Sequence, residues 1–108
     1  MSDRLAAGLL VSALIRRIEA AGGNAMVLAK GDATAGALLI QLAERGVAGA
    51  LLERTLDAKG AYGWTPTGPD DGEARADYIA RRRRSDPDLW VVELDSADAA
   101  TIVEEVAS

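Results

Sequence analysis

The fold of this chain depends on the ten-residue stretch Arg81–Trp90, which has the sequence RRRRSDPDLW. In it, four cations are followed by an Asp-Pro-Asp break and then by apolar residues. Proline lacks a backbone N–H and disfavours helical backbone in the residue before it, so a helix that carries the arginines has to end here. The apolar run Leu89–Val92 is typical of a buried strand. The stretch therefore predicts a joint between a helix and a strand.

The composition indicates a small globular domain. The sequence has 108 residues, of which 49% are apolar and 27% are charged. A chain of this length is near the common size of a domain and can bury roughly 60–70% of its unfolded surface in one core. With no Phe, two Trp and two Tyr, that core has to be mainly aliphatic. We therefore expect residues 1–108 to form a single domain.

Missing residue types narrow the possible functions. The chain has no Cys and no His, which excludes disulfides, thiolate metal sites and catalysis of the Ser-His-Asp or Cys-His type. The net charge of −5 disfavours nucleic-acid binding, although the four clustered arginines keep it open. We therefore expect no cofactor, no metal site and no catalysis. An enzyme that uses only carboxylates and arginines is the least favoured of the functions considered.

The N-terminal segment 3–21 predicts an amphipathic helix, because its apolar residues recur at helical spacing. Ser2 or Asp3 could cap its start, and Gly22-Gly23 could end it. The apolar part, residues 5–15, is well short of the about 20 residues of a membrane span, and no basic start of a secretory signal precedes it. We therefore expect a cytoplasmic protein that has no membrane partner. The predicted apolar face consists of Ala7, Leu10, Val11, Leu14, Ile15, Ile18 and Ala21.

Two short segments after this helix predict strands. Asn24–Lys30 is an apolar run near glycines, which suits a buried strand, and Tyr62–Pro66 predicts an edge strand that Pro66 ends. Between strands, Gly31–Gly36 has the glycines and the threonine of a phosphate-binding loop. It lacks the Gly-Lys-Ser/Thr ending of such a loop, so we expect a plain hairpin connection.

The segments Ala35–Ala43 and Val47–Leu56 are ambiguous, because their Leu and Ala content also suits helices. Arg45-Gly46 and Asp57–Gly60 resemble hairpin connections, with glycine placed for positive φ. Gly49 lies in mid-segment, where it would cost a helix about 1 kcal/mol relative to Ala. We favour strands, and the helical alternative stays open on these residues alone.

The C-terminal third predicts a helix, a strand and a helix. Asp70 with Glu73 suggests a capping box for a helix to about Arg84, and Leu89–Asp95 predicts a strand. Ser96 could cap the last helix. Together the segments predict an α+β fold with an N-terminal helix, a mostly antiparallel β-meander, a second helix, a further strand and a C-terminal helix. We expect a four-stranded meander and a fifth strand that carry the helices on one side. The apolar stripe of the last helix is Ala99, Ile102, Val103 and Val106.

Two segments carry a resemblance to a known family: Lys30–Gly36 (KGDATAG) and Asp86–Glu93 (DPDLWVVE). Together with Arg82-Arg83, they are similar to the uncharacterised bacterial family Domain of Unknown Function 1491. The resemblance extends from Arg16-Arg17 to Glu93, and the second segment is its specific part. It implies a small α+β domain and supports the strands in the ambiguous region. It implies no activity, substrate or catalytic residue, and the helix after Ser96 is predicted from periodicity alone.

The arginine cluster is the sharpest candidate for a ligand site. Arginine guanidinium groups bind phosphate and carboxylate, but residues one apart do not share a helix face, so only two of the four could face one ligand. The alternative is a solvated helix end, where each cation complements the helix dipole by about 0.3–1 kcal/mol and pairs with nearby acids such as Asp77. The candidate ligand-binding residues are Arg81, Arg82, Arg84, Asp86 and Asp88.

Proline between Asp86 and Asp88 favours a turn over a catalytic carboxylate pair, because Asp side chains in turns accept nearby backbone N–H groups. Trp90 begins an apolar strand, so we expect it in the core, where its indole N–H needs one buried acceptor. A ligand platform is the less favoured role for this tryptophan.

The remaining candidates are surfaces for protein contact. The residues concerned are Leu5 and Leu9, outside the apolar face of the first helix, and Tyr62 and Trp64 on the predicted edge strand. We expect a non-catalytic cytoplasmic protein-interaction domain that pairs with itself as a homodimer or with another protein. The alternative is a module that binds a small anionic ligand or nucleic acid through the cluster Arg81–Arg84.

Overall fold

A computed structural model of the chain describes residues 6–107, which form one five-stranded sheet and three helices. The elements follow in the order helix, strands, helix, strand, helix, which confirms the predicted α+β fold class. The segments with ambiguous propensity are strands. The elements are α1 (Ala7–Ala20), β1 (Asn24–Ala29), β2 (Leu38–Glu44), β3 (Val47–Leu56), β4 (Tyr62–Pro66), α2 (Gly72–Ser85), β5 (Trp90–Asp95) and α3 (Ala99–Ala107).

The strand order in the sheet is β1-β5-β2-β3-β4. The pairs β1–β5, β2–β3 and β3–β4 are antiparallel, whereas β2–β5 is parallel. The expected four-stranded meander is therefore wrong for β1, because β5 lies between β1 and β2. Val91, Val92 and Leu94 make β5 apolar on both faces, and such a strand belongs in the middle of a sheet. The connection Gly31–Gly36 is consequently not a hairpin.

Helices cover both faces of the sheet, so the expectation of helices on one side is also wrong. Helices α1 and α3 pack on one face, and α2 packs on the other through Tyr78 and Ile79. Alternate residues of β2 and β5 point to opposite faces and are apolar in both sets, so each face needs cover. Beneath α1 and α3 lie Leu38, Ile40, Val92 and Leu94, and beneath α2 lie Leu39, Leu51 and Val91.

Helix α1 begins against the loop that follows β1. The backbone N–H of Gly8 donates to the carbonyl oxygen of Ala33 at 2.8 Å, so the loop supplies an acceptor to the first turn. The expected caps Ser2 and Asp3 lie outside the described residues, and the helix begins at Ala7, later than predicted, with Ala6 as its N-cap and no side-chain cap. At the other end Gly22 has φ +84°, and the N–H of the following glycine returns to Ile18, which closes the helix as predicted.

Other chain reversals match the prediction closely. Arg45 and Gly46 have φ of +51° and +80°, as a two-residue hairpin turn requires, and Gly60 has φ +84° in the next connection.

Helix α2 starts one residue later than expected, because Asp71 and not Asp70 accepts the N–H of Ala74, at 3.0 Å.

The Ser96 hydroxyl accepts the N–H of Asp98 at 3.0 Å. Ser96 therefore closes the turn in front of α3, which begins at Ala99.

Candidate functional site

The joint between α2 and β5 is a turn closed by its own aspartate. The N–H of Asp88 donates to the Asp86 carboxylate at 3.1 Å, and the N–H of Leu89 donates to the Asp86 carbonyl at 3.1 Å. The Asp86 carboxylate is therefore engaged with the backbone of its own turn. The predicted turn is present.

Trp90 lies in the core, and its indole Nε1–H donates to the backbone carbonyl of Asp32 at 2.7 Å. The N–H of Asp32 in turn donates to the carbonyl of Asp88 at 3.0 Å. The loop after β1 is therefore bound to the start of β5. A Cβ on Gly31 or Gly36 would collide with the Asp88 carbonyl, so these glycines serve a close backbone approach.

The carboxylate of Asp32 accepts hydrogen bonds from the backbone of its own loop. It accepts the N–H groups of Thr34 and Ala35 at 3.0 and 2.8 Å. These bonds favour the ionised form and hold the pKa of Asp32 below its usual 3.8. The N–H groups of Thr34 and Ala35 thus already have an acceptor within the loop and are not free to bind a phosphate.

The four arginines of the cluster have different environments. Arg82 forms an ion pair with Glu53 and donates to the Tyr78 hydroxyl at 2.9 Å, and its hydrogen bonds to Glu53 raise the pKa of Arg82. Arg81, Arg83 and Arg84 are exposed. The expected local pairing of these three with neighbouring acids is not found within residues 6–107.

Two of the exposed arginines share a hollow with a lysine from another part of the chain. Arg83 and Arg84 line an open cavity of about 410 Å³ together with Lys30, the residue that follows β1. Asp86 also lines this cavity. We call this cavity the basic hollow. Of the sequence-predicted ligand residues, it unites Arg84 with Asp86, whereas neither Arg81 nor Arg82 is among the residues that line it.

Sequence reasoning missed Lys30 and Arg83 in this hollow. Lys30 is distant from the arginines in sequence. It lies near them only because β1 pairs with β5, and β5 is the strand that directly follows α2 along the chain. The signal that could have found it is the length of apolar sequence in β5, which argues for a central strand with a neighbour on each side.

Tyr62 and Trp64, the aromatic residues expected at an interface, make contacts within the chain. Trp64 is half-buried against the core beneath α1 and α3, and the Arg54 guanidinium lies 4.4 Å from the ring centre of Tyr62. Leu9 is exposed on α1, 63% accessible, whereas Leu5 lies outside the described residues. The aromatic pair of β4 is thus less available for a partner than the sequence suggested.

Strand β1 presents the more accessible apolar edge. Met26, Val27 and Leu28 are 59%, 40% and 46% exposed. Strand β1 is the outermost strand on its side of the sheet, and no charged residue occurs from Asn24 to Ala29. The sequence predicted a buried strand here, because an apolar run does not reveal whether it lies at the centre or at the edge of a sheet.

Two other kinds of feature are absent from the described part of the chain. None of its helices is long and apolar enough to cross a membrane. Over the same range, no group of three or more Asp or Glu side chains is placed to hold a metal ion.

The fold and its two surface features define a small α+β protein with a basic hollow and an apolar sheet edge. The chain belongs to the family described as "Protein of unknown function (DUF1491)", which matches residues 5–104. The predicted resemblance is thereby confirmed, and the match continues into α3.

Three solved structures share the fold, and two of them are described as DUF1491 family proteins. A crystal structure of a DUF1491 family protein from Caulobacter crescentus CB15 has 35% identity and a TM-score of 0.78, over 91% of this chain and 94% of that one. The solution structure of protein Atu0922 from A. tumefaciens has 34% identity and a TM-score of 0.73, over 92% of each chain. An NMR structure of a DUF1491 family protein from Caulobacter crescentus CB15 has 37% identity and a TM-score of 0.75, over 91% of each chain. No curated protein matches the chain.

Proposed function

We propose that this chain is a non-catalytic, cytoplasmic protein-interaction domain that forms a homodimer by pairing the β1 strands of two copies. One observation carries the proposal: Met26, Val27 and Leu28 expose apolar side chains on an uncharged edge strand. Such an edge offers N–H and C=O groups to another strand and apolar surface to its side chains. Natural edge strands usually carry Lys, Pro or a β-bulge against this pairing. Strand β1 has neither Lys nor Pro, and its one irregularity is a shift of its register with β5 between Val27 and Ala29.

The opposite edge of the sheet suits a partner less well. Strand β4 has five residues, and Pro66 at its end lacks an N–H to donate. Gly63 offers no side chain, and both aromatic residues of β4 are half-buried. We therefore place the interface at β1 and not at the Tyr62–Trp64 edge.

A second copy of the chain is the partner that fits β1. Antiparallel pairing about a two-fold axis at Val27 sets Asn24 of each copy opposite Lys30 of the other, so no like charges meet. The pairing brings together the apolar residues 25–29 of the two copies, with Val27 on the axis, and the register shift of β1 between Val27 and Ala29 lies within this stretch.

Sedimentation equilibrium of the full chain tests this function. We expect a dimer at micromolar concentration and at least a tenfold weaker association for the double variant Met26→Lys/Leu28→Lys, because charges on an edge strand oppose strand pairing. Leu56→Lys is the matched control, since Leu56 is 56% exposed and belongs to β3. A wild-type chain that stays monomeric at high micromolar concentration would refute the proposal.

Cysteine cross-linking tests the register. The chain has no native Cys, so Val27→Cys introduces a single thiol. Residues directly opposite in antiparallel strands have Cα atoms about 4.5–5.5 Å apart, within the roughly 4.4–6.8 Å range of a disulfide. We expect rapid oxidation to a covalent dimer for Val27→Cys and not for the control Leu56→Cys. Equal rates for the two variants would contradict pairing through β1.

A further inference from the structure

We infer that the basic hollow binds the phosphate group of a small phosphomonoester. Arg83 and Arg84 at the end of α2 and Lys30 after β1 line one opening of about 410 Å³. Within residues 6–107 none of these three cations forms an ion pair. Their charges are therefore available to a ligand.

The local charge supports an anion. Three cations, Lys30, Arg83 and Arg84, and one carboxylate, Asp86, line the hollow, so its net charge is 3 − 1 = +2 in a chain of net charge −5. The Asp86 carboxylate accepts the N–H of Asp88 at 3.1 Å and is thereby engaged with the backbone. The helix dipole favours the arginines at the end of α2, but it does not account for a lysine that joins them from β1.

Guanidinium groups suit the ligand chemistry that we infer. Arg83 and Arg84 each present a planar set of donors that matches two oxygens of a phosphate, and an ammonium adds a point charge. The remaining wall is apolar and includes Ala29, Ala80 and Leu89, which would contact an organic group attached to the phosphate. A dianionic phosphate with a compact apolar substituent fits both parts of the hollow.

The size of the hollow favours a small molecule over a nucleic acid. About 410 Å³ falls within the roughly 300–1,000 Å³ range of small-molecule pockets. Binding of a polyanion needs a row of cations that follows successive phosphates, and the net charge of −5 opposes it. The hollow offers one cluster, sufficient for one phosphate group.

Titration of the full chain with phenyl phosphate tests the inference, with inorganic phosphate and a single-stranded uridine oligonucleotide as comparison ligands. We expect salt-sensitive binding of phenyl phosphate, tighter than that of inorganic phosphate and of the oligonucleotide. Backbone amide NMR signals at Lys30 and Arg84 should shift on binding. The double variant Arg83→Gln/Arg84→Gln should bind at least tenfold more weakly.

Arg81→Gln is the matched control, because Arg81 is exposed on the same helix and does not line the hollow. Equal losses in the control and the double variant would overturn the inference, as would tighter binding of the oligonucleotide or no binding of phenyl phosphate. The inference does not rest on the homodimer. Sedimentation of Arg83→Gln/Arg84→Gln and its thermal unfolding should match wild type, so each proposal can fail separately.

Discussion

Arg82 and Glu53 form a two-point ion pair that joins α2 to β3. The guanidinium atoms Nη1 and Nη2 of Arg82 lie 2.9 and 2.7 Å from the carboxylate oxygens Oε1 and Oε2 of Glu53. The side chains are 26% and 23% exposed, so the pair is partly shielded from water. Of the four consecutive arginines, this one serves to attach the helix to the sheet. Arg83 and Arg84 take no part in this ion pair and line the basic hollow instead.

Replacing Arg82 should destabilise the fold. Arg82→Met leaves the Glu53 carboxylate half-buried without its partner, and we expect a loss of roughly 1–3 kcal/mol. Arg82→Lys should cost less than Arg82→Met, because an ammonium keeps the charge but loses the two-point geometry. Urea unfolding followed by circular dichroism measures both losses.

Arg81→Met is the control for this experiment, since Arg81 is exposed and should change stability by less than about 0.5 kcal/mol. A double-mutant cycle with Glu53→Gln should return a favourable coupling energy between Arg82 and Glu53. Additive losses would mean that the pair contributes nothing as a pair.

Local features of the fold could be predicted because they depend on a few adjacent residues. Gly22 ends α1 and Arg45-Gly46 turns the hairpin, as backbone sterics require. Trp90 needed a buried acceptor and has one in the Asp32 carbonyl. The identity of that acceptor was beyond prediction, since it belongs to a loop more than fifty residues earlier.

Features that depend on strand order could not be predicted. Lys30 joins the basic hollow, and Met26 is exposed, only because β5 inserts beside β1 and leaves β1 at the edge. The spacing of apolar residues shows which face of a strand is buried, but it does not show which strands pair with it in the sheet. The use of both sheet faces could have been inferred from Val91 and Val92, which are adjacent and both apolar.

A methyl group at Gly36 should disrupt the joint between the loop and β5. A Cβ there would collide with the Asp88 carbonyl and lie 2.9 Å from Cδ1 of Trp90. We expect Gly36→Ala to cost about 1–3 kcal/mol, the usual range for overpacking. Thermal unfolding measures the loss. Gly63→Ala is the control, because a Cβ at Gly63 meets no atom within 4 Å, and it should be neutral or slightly stabilising. Equal stability of the two variants would contradict the close approach.

Arg75 should contribute to stability through carbonyl groups and not through its ion pair. It is 9% exposed, and its guanidinium donates to the carbonyls of Gly49 and Pro69 at 2.6 and 2.9 Å and to the Gln41 side chain at 3.2 Å. Arg75→Met would remove all three hydrogen bonds beneath α2, although the Gly49 carbonyl would keep the Gln41 side-chain amide as a donor at 3.1 Å, and we expect a cost of roughly 2–4 kcal/mol in urea unfolding. The ion pair itself is weaker: the Asp70 carboxylate lies 3.5 Å from Nη2 of Arg75, and the Asp70 side chain is fully exposed.

The exposure of Asp70 makes its replacement the control for Arg75→Met. Asp70→Asn should change stability by less than about 0.5 kcal/mol, because exposed ion pairs contribute little. If Asp70→Asn instead proved as damaging as Arg75→Met, the ion pair and not the carbonyl set would be the important contact.

Asp32 should make the loop after β1 sensitive to acid. Its two backbone hydrogen bonds lower the pKa of Asp32 in the folded state below the ordinary 3.8 of the unfolded chain. The stability that Asp32 contributes is therefore fully present above pH 3.8 and is lost as the pH falls through the lower folded-state value. Titration of the Asp32 side-chain carboxyl by carbon NMR should give a midpoint below 3.8.

Asp32→Asn separates this carboxyl from the many others that titrate in the same range. The amide oxygen of Asn can still accept the N–H groups of Thr34 and Ala35 but does not titrate. Above pH 3.8 the wild type should be the more stable protein, since a carboxylate accepts stronger hydrogen bonds than an amide. Below that value the difference should shrink, because only the wild type loses an acceptor by protonation. A difference that stays constant with pH would show that the Asp32 charge does not stabilise the loop.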